Sequence, residues 1–413
     1  MARDRFTTRR TYLKGIGAAG VLGLSGCVSS LPGAGGGPIP MGSILPITGD
    51  LSDFGPGMEE GVNLAAEHIN DGGGPLGREV EVFNRDSETV AQAAGEKFNQ
   101  LVSENNIVGF VGAASSGVSV PLAQGLASDQ VMQVSPASTS PTLAQLGYND
   151  DQSVKYFGRT APNDAQQGIV MGMVLNDHVN AETAAFLHVN NAYGEGLAQK
   201  AKQAFDGQTL RLVPYSSQTT DYTSTLDQLF EGSPDAVGFV GYPESGQSIL
   251  QTWADGGYGG NWVLSEGLNS PDFFQAIPDI VEGMYVSSPD PEQTKGAQAF
   301  QEALGKEPRV FSPHSYDALF LMALAIHRGG EASGTAIAEN IRSVSRDPGQ
   351  VVTVGEFEKA AGILDDGGSI NYQGASSPVD LNEALEPLNR FAILQVAGGS
   401  TETVQQIPRS AFE

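Results

Sequence analysis

Five short polar stretches hold the residue types from which this chain could build a binding chemistry. Gly112 to Gly117 and Ser135 to Pro141 are crowded with small residues and hydroxyls, among them Ser115, Ser116, Ser138 and Thr139. Backbone N–H groups in such loops, with a helix N-terminus behind them, make a seat for a carboxylate. Asn190 to Gly196 and Gly241 to Glu244 supply Tyr193 and Tyr242, and Ser265-Glu266-Gly267 supplies an acid. Glu266 could receive an ammonium through a charge-assisted hydrogen bond. The set suits a zwitterion, its carboxylate on the hydroxyl loops and its amine on Glu266.

Taken singly, each stretch has an ordinary explanation. Ser135 to Ser140 could be a turn with helix caps. Tyr193 and Tyr242 could be packed aromatics, and Glu266 a solvated loop acid. Their shared position argues otherwise. The five stretches follow the apolar runs Ile107–Val111, Val131–Val134, Ala184–Val189, Ala236–Val240 and Trp262–Leu264. In parallel α/β sheets the loops at the carboxyl ends of strands form the ligand crevice.

The elements that must position these loops read as α/β. Ile44–Ile47 reads as a first strand and Glu79–Phe83 as a second. Between them Met58, Val62, Ala65 and Ile69 recur at helical spacing, and Asn70-Asp71-Gly72-Gly73 ends that helix. The alternation then restarts, with Leu210–Val213 as a further strand of a second parallel sheet and Ala198–Phe205 as helix. Tyr316–His327 reads as an apolar helix and Phe391–Val396 as a late strand. Two open, doubly wound parallel sheets imply two lobes with a cleft between them.

Ahead of the fold, Arg9-Arg10, a small-residue apolar run from Gly15 to Leu24, and Leu24-Ser25-Gly26-Cys27 follow the order of an export signal. The apolar run is too short to span a bilayer. Cys27 is the single cysteine, so no internal disulfide exists, and its place after the signal is that of a bacterial-type lipobox. Two acyl chains there would hold the protein on the membrane. Gly15-Ile16-Gly17-Ala18-Ala19-Gly20 matches a dinucleotide fingerprint but lacks a preceding strand, so it receives no nucleotide role. The Gly- and Pro-rich residues 28–40 read as a flexible tether.

Acidic residues number 48 against 22 Lys plus Arg, a net charge of −26. That sign repels phosphates and argues against nucleic-acid binding. Because the acids are scattered, they read as a surface adapted to high salt, where a Debye length of about 3 Å at 1 M screens self-repulsion. A serine hydrolase built on Ser115, Ser116 or Ser245 lacks a Gly-x-Ser-x-Gly elbow, and no His-Glu-x-x-His supports metal hydrolysis. The chain is expected to be no enzyme and to need no cofactor or metal.

Several segments in order resemble the leucine/isoleucine/valine-binding protein family, the type I periplasmic-binding fold of ABC importers. They are Leu45-Pro46-Ile47-Thr48-Gly49 with Phe54-Gly55, Ala66 to Gly73, Gly112 to Ser116, Ser135 to Thr139, Asn163-Asp164 with Gln167-Gly168, Tyr193 to Gly196, and Tyr242-Pro243. The resemblance implies that Ser116, with its neighbour Ser115, and Thr139 receive the ligand carboxylate and that Ala137 supplies a backbone group. It implies that Tyr193 and Tyr242 stand on the second lobe, that Glu266 pairs with the α-amine, and that Phe54 packs on the ligand side chain. Ser138 departs from the family pattern, which has alanine there, and is kept as a candidate.

The resemblance further implies discontinuous lobes joined by three hinge crossings near Arg159, Ser288 and Tyr372. Residues 1–27 would be signal and 28–40 tether. Residues 41–159 with 289–372 would form lobe 1, and 160–288 with 373–413 lobe 2. A monomer, anchored outside the cytoplasm, would deliver a branched-chain-like amino acid to ABC permease and ATPase subunits. An amide, urea or short carboxylic acid as ligand, and a sensing role in place of transport, stand as alternatives.

Overall fold

The computed structural model describes residues 36–290, 292 and 294–412. Cys27 and the twin-arginine segment lie outside the described residues. The first sheet contains β1 (Ile39–Leu45), β2 (Val80–Asp86), β3 (Gly109–Gly112), β4 (Met132–Ser135) and β5 (Phe157–Arg159), in the order β2-β1-β3-β4-β5, all parallel. Parallel neighbours need crossovers, and the first is the helix Gly55–Asp71. It buries Met58, Val62, Ala65 and Ile69, the row that helical spacing predicts. The helix Ser312–Gly329 is buried from Ser312 through Ile326 and packs on that helix, β3 and β4. The two helices meet at Gly61, where a Cβ would sit 2.3 Å from the Ser312 carbonyl oxygen.

The second sheet takes β6 (Thr183–Val189), β7 (Gln208–Tyr215), β8 (Ala236–Val240), β9 (Asn261–Leu264) and β10 (Tyr285–Pro289). A separate parallel pair, β11 (Gln350–Thr353) and β12 (Ile370–Gln373), follows, and β13 (Phe391–Ala397) and β14 (Ser400–Ile407) rejoin the second sheet. Its order is β14-β13-β10-β9-β8-β6-β7. Strands β6 and β8 are buried almost throughout, as continuous apolar runs require when both faces are covered.

Three expectations are corrected. The first strand begins at Ile39, inside the expected tether, and ends at Leu45, short of Ile47. Pro40 is tolerated there near the strand start, and its carbonyl accepts from Val108 N at 3.1 Å. The second sheet is mixed, because β13 runs antiparallel to β10 and pairs with β14 across a Gly398-Gly399 turn in which both glycines have positive φ. The third crossing is not at Tyr372. Asp317 Oδ1 accepts from Ala375 N at 2.8 Å, Arg346 Nη1 donates to Leu381 O at 3.2 Å, and Lys155 Nζ donates to Ala384 O at 2.6 Å. These bonds keep residues 373–385 on the first lobe. The chain enters the second sheet at Phe391, so the crossing is at residues 386–390.

Candidate functional site

The carboxyl ends of the strands in both sheets converge on one cleft. A small cavity there, about 300 Å³ of empty space counting its opening to solvent, is lined by Leu51, Phe54, Met58, Ala114, Ser115, Ser116, Ala137, Tyr193, Tyr242, Glu266, Gly267 and Phe311. Seven of the nine ligand-contact residues expected from sequence are therefore brought together. Thr139 and Ser138 are not among the lining residues.

Ser138 is corrected outright. Its Oγ lies 3.0 Å from Ala113 O, 3.0 Å from Ala114 O and 2.8 Å from Ser119 Oγ, fully buried inside the first lobe. It clamps the β3 and β4 loops together and is turned away from the cavity. The Thr139 hydroxyl is buried without a hydrogen-bond partner. Ser116 Oγ accepts from Ser140 N at 3.1 Å, and Ser115 caps the helix Ser116–Ala123 by accepting from Gly117 N at 3.2 Å.

On the opposite wall, the rings of Tyr193 and Tyr242 stack with centroids 5.5 Å apart and planes 9° from parallel. Each sits at the start of a helix: Asn191 caps Ala192–Ala204 by accepting from Tyr193 N, and Pro243 opens Pro243–Gly256. Glu266 is buried, and its Oε2 accepts from Tyr193 OH at 2.9 Å and Gln167 Nε2 at 2.5 Å. Burial pushes the Glu266 carboxyl up to about 7, against the pull of those two donors.

A second acid was missed from the sequence. Asp164, the first residue of the helix Asp164–Met173, is fully buried, and neither carboxylate oxygen has a hydrogen-bond partner. Its backbone N–H donates to Thr139 O at 2.9 Å. Burial, then the Glu266 carboxylate, holds the Asp164 carboxyl well above the usual range. The Thr139 hydroxyl beside it works against that rise without reaching hydrogen-bond geometry. Gln167 lies one turn along the same helix, so a single helix presents Asp164 and the Glu266 donor on one face. The signal available in the sequence was Asn163-Asp164 with Gln167, a segment that carried the resemblance without a role.

The lobes are closed on each other. Ser115 Oγ and Tyr242 OH are 2.9 Å apart, and Ser270 Oγ donates to Asp53 Oδ2 at 2.5 Å. Arg309 Nη1 spans Asp53 O at 3.1 Å and Asp272 Oδ2 at 3.4 Å. At the hinge, Glu386 on the third crossing accepts from Arg159 Nε at 3.0 Å and from Asn163 Nδ2 at 3.0 Å, both on the first crossing. Arg159 Nη1 also donates to Ser138 O and Ser140 O, so the guanidinium holds the loop that bears Thr139. Among the described residues no group of His, Cys, Asp and Glu could hold a metal ion.

Such a fold, two α/β lobes closed over a small cavity at the strand ends, defines a class of small-molecule-binding proteins. Residues 38–361 match the family model described as periplasmic binding protein, and the chain belongs to that family. It is 33% identical over 383 residues to the chemotactic signal transduction system substrate-binding protein BasB of Halobacterium salinarum, covering 91% of each chain. It is 25% identical over 355 residues to Leu/Ile/Val-binding protein homolog 1 of Brucella abortus, covering 84% of this chain and 90% of that one. Among solved structures, the leucine-binding protein LivK of Thermotoga maritima superposes with a TM-score of 0.76 at 23% identity, covering 90% of this chain and 99% of the other. This likeness is one of fold.

Proposed function

We propose that the chain is the lipid-anchored solute-binding subunit of an ABC importer, that it takes a branched-chain-like α-amino acid into its cleft, and that it performs no catalysis. One observation carries the reading: the buried Glu266 carboxyl lines the cavity, Asp164 lies behind it close enough to feel its charge, and among the described residues the nearby Arg159 is paired with Glu386. Burying charge is costly unless it is paired, and a ligand ammonium would pair the Glu266 carboxylate. The cavity walls support the rest of the molecule. Ser115, Ser116 and Ala137 suit a carboxylate, and Leu51, Phe54, Met58 and Phe311 suit an aliphatic side chain.

A fluorescence thermal-shift screen of the twenty amino acids and their amides, run in molar salt because of the −26 charge, identifies the ligand. Calorimetry on Glu266→Ala then tests the role of the acid. Removing one partner of a buried charge pair costs about 2–5 kcal/mol, whereas an unchanged affinity would remove Glu266 from the site.

The relative BasB, a substrate-binding protein of a chemotactic signal transduction system, favours a second reading, in which the same closed form reports ligand to a chemotaxis receptor. Co-purification with a permease supports transport; co-purification with a membrane receptor supports sensing.

A further inference from the structure

Phe311 stands at the entry to the helix Ser312–Gly329 with a left-handed backbone, φ 65°. A bulky residue adopts that conformation only where its surroundings hold it. Its ring meets Phe54 edge-on at 6.2 Å, and it meets His314 edge-on at 5.5 Å. Phe54 lines the ligand cavity and His314 does not. His314 lines a second cavity of about 1030 Å³, counting its open mouth, beside the hinge at Ser288 and Pro289. Phe311 lines both cavities and is 5% exposed.

The second cavity is lined by apolar Phe300 and Ala297, by polar His314 and Asn269, and by charged Asp290, Glu307 and Arg309. His314 is 3% exposed, and its Nδ1 has no hydrogen-bond partner. Burial pushes the imidazole down to about 3, so it is neutral at ordinary pH. A neutral imidazole both accepts and donates, and a buried nitrogen left unpaired is costly.

We infer that Phe311 is a partition between two compartments of one ligand site, and that its ring sets the size limit of the side chain the protein accepts. With the ring in place an aliphatic side chain fills the first compartment. With the ring removed, an aromatic amino acid whose tip carries N–H or O–H extends into the second compartment and reaches His314. This rests on the reading that the cleft binds an α-amino acid.

The test is calorimetry with L-leucine and L-tryptophan on the full chain and two variants, Phe311→Ala and Phe311→Ala/Ala297→Trp, the latter refilling the second compartment. The wild type is expected to prefer leucine. Phe311→Ala is expected to move the tryptophan-to-leucine affinity ratio at least tenfold toward tryptophan, and Ala297→Trp to reverse the gain. Phe311→Leu replaces the alanine variant if cooperative melting is lost. A wild type that already prefers tryptophan, a ratio that does not move while leucine still binds, or a gain that Ala297→Trp leaves intact overturns the partition. If neither amino acid binds any form, the amino-acid reading falls, and the partition falls with it.

Discussion

Ser115 Oγ and Tyr242 OH lie 2.9 Å apart, a side-chain hydrogen bond that joins the two lobes at the wall of the ligand cavity itself. Asn191 Nδ2 adds a donor to the same tyrosine oxygen at 3.2 Å. The closed form is thus held by groups that also line the site, and ligand affinity and closure are coupled through them.

Tyr242→Phe removes this junction and keeps the ring stacked on Tyr193. Each net hydrogen bond is worth about 0.5–1.5 kcal/mol. Amino-acid affinity should fall by roughly 2- to 10-fold, and small-angle scattering should show a more extended ligand-free protein. An unchanged affinity and radius of gyration would separate the bond from closure.

Ser138 and Thr139 should divide stability from binding. Ser138→Ala strips a hydroxyl from the buried clamp, and about 1–3 kcal/mol of stability should go with it, leaving ligand affinity in place. Thr139→Val should do the reverse. The pair is checked by urea melts beside calorimetry, and equal effects on both readouts from both variants would contradict the assignment.

Glu386→Ala should be destabilising, because it leaves Arg159 buried and unpaired. The two side chains are 1% and 10% exposed. Burial alone would raise the Glu386 carboxyl, but the Arg159 charge and the Asn163 hydrogen bond bring it below its ordinary value. Its contribution is therefore present at neutral pH and lost on acidification. Breaking one partner of a buried pair costs about 3–5 kcal/mol, read as a lower urea midpoint at pH 7.

Glu266 has the opposite pH sense. Its folded carboxyl titrates at about 7 against an ordinary 4.5, so the folded state holds a proton that the unfolded state has released. Stability without ligand should fall as pH rises from 4.5 through 7, while amino-acid affinity rises over the same window. Glu266→Gln should flatten the Glu266 part of both slopes. Thermal melts and calorimetry from pH 5 to 8 check this, and a wild-type melting temperature that climbs through that window would oppose it.

What could be read from sequence followed burial. The strand Ala236–Val240 is a continuous apolar run because helices cover both faces, so its position was legible to the residue, and β3, β4, β6 and β9 to within one or two residues. β14 was not, since six of its eight residues are exposed and polar Thr-Glu-Thr and Gln-Gln leave no apolar alternation. The third crossing was misplaced because residues 374–385 have no periodic pattern, and tertiary bonds, among them those from Asp317, Arg346 and Lys155, keep them on the first lobe. Within the site, hydroxyl loops and tyrosines at strand ends were legible by position. Asp164 was not, because an acid at a helix start reads as an ordinary dipole partner until folding brings Glu266 near. Ser138 and Thr139 are adjacent and chemically alike, and only the backbone path distinguishes a clamp from a free hydroxyl.

The central claim is that the buried Glu266 carboxyl, with Asp164 behind it, gives up its proton to receive a ligand ammonium. Calorimetric titration of the identified amino acid at pH 6.5, repeated in buffers of different ionisation enthalpy, measures it directly. The account predicts net proton release on binding, reduced in Glu266→Gln and in Asp164→Asn. Observed heats that are the same in every buffer, with affinities unaltered in both variants, would contradict it.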